Sequence, residues 1–163
     1  MAVQIAEVEG YLAQVKDPEI PVLSVLDMGV VRAIRPFEEE GVEIDLTPTY
    51  SGCPAMSTIS FDIVAELEAQ GIHPVKINMV LSPAWTTDWL TEEGRKKLRA
   101  YGIAPPEGQA GRIDALFGEA PQPACPRCDS RNTKQLSQFG STACKALYQC
   151  QDCKEPFDYF KCH

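Results

Sequence analysis

Two Cys-x-x-Cys pairs, Cys125-Pro126-Arg127-Cys128 and Cys150-Gln151-Asp152-Cys153, stand 21 residues apart near one end of a 163-residue chain. Each pair can grip one metal ion from a tight turn while the residues between them return as a hairpin, and four thiolates complete a closed tetrahedron. A segment this short has little core of its own, so metal binding would supply much of its folding free energy. Zinc is preferred over iron because it is redox-silent and suits a structural thiolate cage. A single-iron centre uses similar ligands, and the spacing leaves both open. With every position filled by protein, such a metal is structural and not catalytic.

Three of the seven cysteines lie outside this cage: Cys53, Cys144 and Cys162. Cys144 precedes Cys150 by six residues, and Cys162 follows the stretch Phe157-Asp158-Tyr159-Phe160. If the ribbon brings its end back beside the hairpin, these two and His163 form an auxiliary thiol site; a buried filler and an idle terminal thiol fit the same residues. Cys53 lies in Thr47-Pro48-Thr49-Tyr50-Ser51-Gly52-Cys53-Pro54, between an expected strand and the start of an expected helix. The amide donors and positive end of that helix would favour its thiolate, making it a nucleophile or soft-metal ligand. A small thiol packed into the turn fits as well, and the residues alone do not choose.

The formal net charge of -8 is unevenly spread, with the chain before Cys125 carrying -10 and the remainder +2. An acidic body disfavours nucleic acid as a partner, since that affinity rests on Lys and Arg displacing counterions. No apolar run reaches membrane-spanning length and residues 1–10 lack the pattern of a signal peptide, so a cytoplasmic protein is expected. In that reducing compartment the cysteines read as metal or thiol groups, not disulfides.

Apolar periodicity predicts an amphipathic helix over 3–15, stopped by Asp17-Pro18. Strands are expected over 30–37 and 42–47, joined by Glu38-Glu39-Glu40-Gly41 as an antiparallel hairpin. A second helix begins at Pro54 and ends at Gly71, with Met56, Ile59, Ile63 and Leu67 on its apolar face and Phe61 and Val64 widening it. A third strand over 76–80 and a helix over 92–101 capped by Thr91 complete the body. The density of Pro and Gly between 103 and 123 reads as a linker. The expected fold is therefore α+β, a small mixed sheet with packed helices over 1–102, followed by a β zinc ribbon over 124–163. Asp17 and Glu19 read as solvated loop carboxylates, and His73 as a turn residue. No Ser-His-Asp order, phosphate loop or dinucleotide glycine pattern is present.

The motifs Asp17-Pro18-Glu19, Asp27-Met28-Gly29-Val30, Thr47 to Pro54 and Pro83-Ala84-Trp85 resemble the iron–sulfur assembly family that includes SufT, up to about Tyr101. Trp85-Thr86-Thr87-Asp88-Trp89-Leu90, Gly140-Ser141-Thr142-Ala143-Cys144 and the ending Phe157 to His163 resemble the PaaD family of phenylacetate degradation. The resemblance implies an accessory role in the multicomponent phenylacetyl-CoA epoxidase, with that system's oxygenase or reductase subunits as partners; a homodimer is also open. It maps the family's reactive cysteine onto Cys53, as ligand to a transient iron or iron–sulfur cluster, and the acidic motif onto Asp17 and Glu19. Met28 departs from the family's usual leucine at little cost, since the volumes are similar.

Three functions follow. The first is a maturation factor, with Cys53 holding iron or a cluster in transit and the ribbon docking the client. The second is a stable, non-catalytic oxygenase subunit. The third is a ribbon-type nucleic-acid binder, against which the acidic body speaks. An independent enzyme has least support, because no open metal position or recognisable triad is in evidence.

Overall fold

The computed structural model describes residues 2–50, 52–107 and 121–161. The chain divides into two compact units, one running to Trp85 and taking in Trp89–Gly94, the other comprising Thr86–Asp88 and everything from Arg95 onward.

In the first unit, α1 (Ile5–Leu12) buries Val8 and Leu12, and α2 (Ala55–Ala69) buries Ala55, Met56, Ile59, Ile63 and Leu67. β1 (Val31–Phe37), β2 (Gly41–Leu46) and β3 (Val75–Met79) form a sheet in that order. β1 and β2 are the expected antiparallel hairpin, whereas β2 and β3 run parallel. A parallel neighbour needs a crossover, and the 15 residues of α2 provide it. Val42, Ile44 and Leu46 alternate into the core and are fully buried. Each such side chain contributes about 1.5–3 kcal/mol of burial. Phe61 departs from expectation: it is 73% exposed. It lies two residues from both Ile59 and Ile63, about 200° round the helix from each, which places it on the solvent side. Pro36 is tolerated in β1 because that strand is an edge.

The residues that carried the family resemblance in this unit have structural work. The Asp17 carboxylate is buried and accepts the backbone N–H groups of Glu19 (2.7 Å) and Ile20 (2.8 Å), so it holds a turn and is not the solvated group expected. Asp27 and Ser24 cap one another reciprocally, at 3.0 and 3.1 Å. Gly29 has φ +71°, and a Cβ there would stand 2.4 Å from the Trp89 carbonyl oxygen, so only glycine fits. The Trp85 indole N–H donates to the Met28 carbonyl at 2.8 Å, and the Arg32 guanidinium lies 3.6 Å from the Trp89 ring centroid.

The second unit holds α3 from Arg95 onward, the helix as a whole spanning Glu92–Tyr101, and a four-stranded sheet ordered β4-β7-β6-β5. Its strands are β4 (Ile103–Ala104), β5 (Thr133–Ser137), β6 (Lys145–Cys150) and β7 (Pro156–Phe160). The Thr91 hydroxyl accepts the Gly94 N–H at 3.0 Å, the expected cap of α3. Ile103 and Ala104 pair with β7, and the Arg95 guanidinium donates to the carbonyls of Pro106 (2.7 Å) and Thr87 (2.9 Å). The expected linker over 103–123 therefore opens with residues bound into the ribbon sheet, and most of the rest of it, 108–120, lies outside the described residues. No helix among the described residues is long and apolar enough to cross a membrane.

The outer face of the three-stranded sheet is a charge network. Arg35 donates to Asp45 at 2.8 Å and Glu43 at 3.2 Å, Lys76 pairs with Glu43 at 2.7 Å, and Asn78 donates to both carboxylates. Hydrogen bonds from Lys76 and Asn78 hold Glu43 at about 2, and those from Arg35 and Asn78 hold Asp45 at about 2. Carboxylates depressed in this way stabilise the fold above their ordinary values, 4.5 and 3.8 here, and that stabilisation is lost as pH falls toward 2. Urea midpoints measured from pH 5 to pH 2 should fall across that window, and Arg35→Ala should flatten the fall. Equal slopes for the two proteins would contradict the assignment.

Candidate metal centre

The two Cys-x-x-Cys turns meet at one end of the ribbon because β6 leads directly into the second turn while β5 leaves the first. The Cys150 N–H donates to Glu155 across the second turn, and the Gln151 N–H donates to the Asn132 carbonyl at 2.7 Å. The four sulfurs of Cys125, Cys128, Cys150 and Cys153 all lie within 4.8 Å of one another. Cys125 and Cys153 are 3.8 Å apart and Cys128 and Cys150 3.5 Å. These separations far exceed a disulfide bond of about 2.05 Å. They match the roughly 3.8 Å edge of a tetrahedron whose sulfurs each lie about 2.3 Å from a central zinc.

Backbone amides point at two of the sulfurs. The Arg127 N–H donates to Cys125 Sγ at 3.4 Å and the Cys153 N–H to Cys150 Sγ at 3.5 Å. The amides of Cys153 and Asp152 lower Cys150 to about 7 against the opposing effect of burial. Cys128 moves the other way: the Ser130 amide favours its thiolate, but the Cys150 sulfur and lost hydration outweigh it. The Glu155 amide likewise favours the Cys153 thiolate, yet lost hydration and the three neighbouring sulfurs push it up to about 12. Four sulfurs this close cannot all be thiolates unless a cation sits among them, and a divalent metal removes the conflict.

Asp152 ties the turns together. Its carboxylate accepts the Ser130 hydroxyl and, at 3.0 Å, the Asn132 amide, both from the first turn. Asp129 and Lys154, each just after the second cysteine of its pair, have φ of 64° and 66°, so the two turns share one backbone shape. Below the sulfurs, Cys125 and Cys150 join Ala104, Ala146, Tyr148, Phe157 and Tyr159 in a buried cluster. Tyr148 stacks on Phe157 (centroids 5.9 Å apart) and meets Tyr159 edge-on at 5.5 Å. The ribbon thus has more apolar core than its length implied.

Cys144 is buried, its sulfur 3.0 Å from the Thr142 hydroxyl, and its carbonyl accepts the Lys161 N–H. Cys162 and His163 lie outside the described residues. Cys53 belongs to the other unit, two residues before α2, and is buried with 9% exposure. The Thr49 hydroxyl donates to its sulfur at 3.8 Å, and its own N–H donates to the Tyr50 carbonyl at 3.2 Å. Spacing found the four sulfurs. It could not find Asp152, Ser130 and Asn132, whose roles exist only once the turns meet.

Comparison with known proteins follows the same division. Residues 5–79 match the model of the iron–sulfur cluster assembly protein family, and residues 110–161 match the PaaD zinc beta ribbon domain. The chain is 48% identical, over 98% of its length and 93% of the relative's, to an Escherichia coli (strain K12) protein named as one subunit of a "Putative 1,2-phenylacetyl-CoA epoxidase". It is 34% identical, over 53% of its length and 83% of the relative's, to an Fe-S protein maturation auxiliary factor of Porphyromonas gingivalis. A solved DUF59 domain from Bacillus anthracis superposes with TM-score 0.54 at 23% identity, over 57% of this chain and 89% of that one, which shows the fold of the body.

Removing one sulfur should release the metal and leave the other three thiols in conflict. Cys128→Ser, or chelator treatment of the unaltered chain, should lower the amide protection of β5, β6 and β7 by at least about tenfold, while β1, β2 and β3 keep theirs. Hydrogen exchange resolved by strand reads this out, and unchanged ribbon protection would contradict it.

Proposed function

Since this chain belongs to the PaaD family, joining an iron–sulfur cluster assembly domain to a zinc ribbon, we propose that it is an accessory maturation factor of the phenylacetyl-CoA epoxidase system. In this reading Cys125, Cys128, Cys150 and Cys153 hold one structural zinc, and the ribbon is the handle for the client oxygenase or reductase subunit. Cys53 is the transient ligand to iron or to an iron–sulfur cluster bound for that client.

The observation that carries the reading is the separation of two kinds of cysteine. The ribbon sulfurs form a closed set of four, with no position left for cargo. Cys53 stands in the other unit, in the turn before α2, with a hydroxyl donor on its sulfur. That contact holds the sulfur in one orientation within the turn. Asp17, occupied as a turn cap, is not a ligand in this reading.

A second reading, a stable non-catalytic subunit of the same oxygenase, is favoured by the burial of Cys53, which a purely packed thiol also explains. The two separate on one substitution. In the maturation reading, Cys53→Ala keeps its thermal midpoint within a few degrees, yet leaves a co-produced client several-fold short of iron. Full iron loading and full oxygenase activity with that variant would reject Cys53 as a ligand. Fixed stoichiometry of this chain in the purified active oxygenase would favour the subunit reading.

A further inference from the structure

The two edges of the three-stranded sheet are built differently. β1 carries Pro36 and a break in register between Val31 and Ala33, and both features discourage a further strand from pairing along that edge. β3 has neither: it contains no proline, and its register with β2 is unbroken from Val75 to Met79. Among the described residues no strand lies on its outer side.

A lysine on an edge strand commonly guards it by placing charge where a partner would lie. Lys76 does not. Its ammonium pairs with Glu43 of β2 at 2.7 Å and lies 5.2 Å from the Phe37 ring centroid of β1, so it reaches back over the sheet. Asn78 also turns inward, to Glu43 at 2.9 Å and Asp45 at 3.0 Å. Apolar surface is left uncovered near the same edge, with Met79 47% and Leu81 67% exposed. We propose that the free edge of β3 pairs antiparallel with β3 of a second copy of this chain, giving one continuous sheet across a two-fold axis.

The backbone fixes which residues meet. The Pro74 carbonyl accepts the Val42 N–H and the Val80 N–H donates to the Leu46 carbonyl, so the even-numbered residues of β3 bond to β2. Alternation then turns the N–H and C=O groups of Val75, Ile77 and Met79 outward. A two-fold axis at Ile77 sets these three against their counterparts through about six interstrand hydrogen bonds. It places Val75 opposite Met79 of the second copy, an apolar pair, and Lys76 opposite Asn78 of the second copy, with no like charges facing. An axis at Lys76 would set two lysines opposite each other, and one at Asn78 would pair only Ile77 to Met79 within the strand. The edge is therefore complementary to itself, which is what a symmetric interface between two copies requires. Cys53 lies outside this strand, so the pairing stands or falls independently of any iron held there.

The test is sedimentation velocity of the full chain from about 1 to about 500 µM, a range that spans the affinities of small interfaces. A shift from one copy to two is expected. Between the ends of that range, hydrogen exchange at the amides of Val75, Ile77 and Met79 should slow by at least about tenfold, while those of Lys76 and Asn78, already bonded to β2, change less. In a mixture of isotopically labelled and unlabelled copies, a contact between the Cα protons of Lys76 and Asn78 of different copies reads the register. Met79→Pro removes one outward N–H and leaves the bonds to β2 in place, so it should keep the fold and remain a single copy throughout. Should that variant fail to fold, the exchange and register measurements on the unaltered chain decide. A single copy at every concentration, a dimer that leaves those three amides unprotected or that survives Met79→Pro, or contacts in another register would overturn the proposal. Protection of the three amides within single copies would overturn it as well, since the edge would then be covered by the chain itself.

Discussion

The convergence of four cysteine sulfurs within 4.8 Å is the constraint on which the second half of the chain depends. Bringing them together carries an electrostatic conflict: lost hydration and the three neighbouring sulfurs push Cys153 up to about 12 although the Glu155 amide favours its thiolate. A divalent cation turns that conflict into binding. The rest of the ribbon follows from holding the cage in shape: Asp152 bridging to Ser130 and Asn132, matched backbone at Asp129 and Lys154, and Tyr148, Phe157 and Tyr159 packed beneath. The aromatic cluster means that the metal shares the task of ordering this unit.

The body answers a different requirement. Its sheet has one apolar face that buries Val42, Ile44 and Leu46 and one solvent-facing side that carries the network of Arg35, Glu43, Asp45, Lys76 and Asn78. Loops carry its recognisable motifs, and the structure explains several of them as architecture. Asp17 and Asp27 cap turns, Gly29 makes room for Trp89, and Trp85 is fastened to the Met28 carbonyl. These contacts order the loops in which the motifs lie. Resemblance pointed at all of these residues alike, and geometry separates those that cap and pack the loops from the thiol of Cys53.

Much of this was legible in the sequence wherever a local rule applied. The alternation Val42, Ile44, Leu46 gave a strand with its buried face, Thr91 capped α3, and two Cys-x-x-Cys spacings located the cage. What escaped depends on contacts distant along the chain. Phe61 read as part of an apolar face, but the core lies on the other side of α2. Ile103 and Ala104 sit among breakers, and their strand exists only because β7 is there to pair with them. Asp17 looked solvated because nothing in Asp17-Pro18-Glu19 signals that the chain folds over its own carboxylate.

The closed cage makes a direct claim about coordination: one metal ion per chain, bound by four sulfurs and nothing else. X-ray absorption at the zinc edge, with elemental analysis of the same sample of the full chain, measures this. The expected result is one zinc per chain with a single shell of four sulfurs at about 2.3 Å. A shell containing nitrogen or oxygen, fewer than four sulfurs, or a sample that folds its ribbon with no metal bound would contradict it.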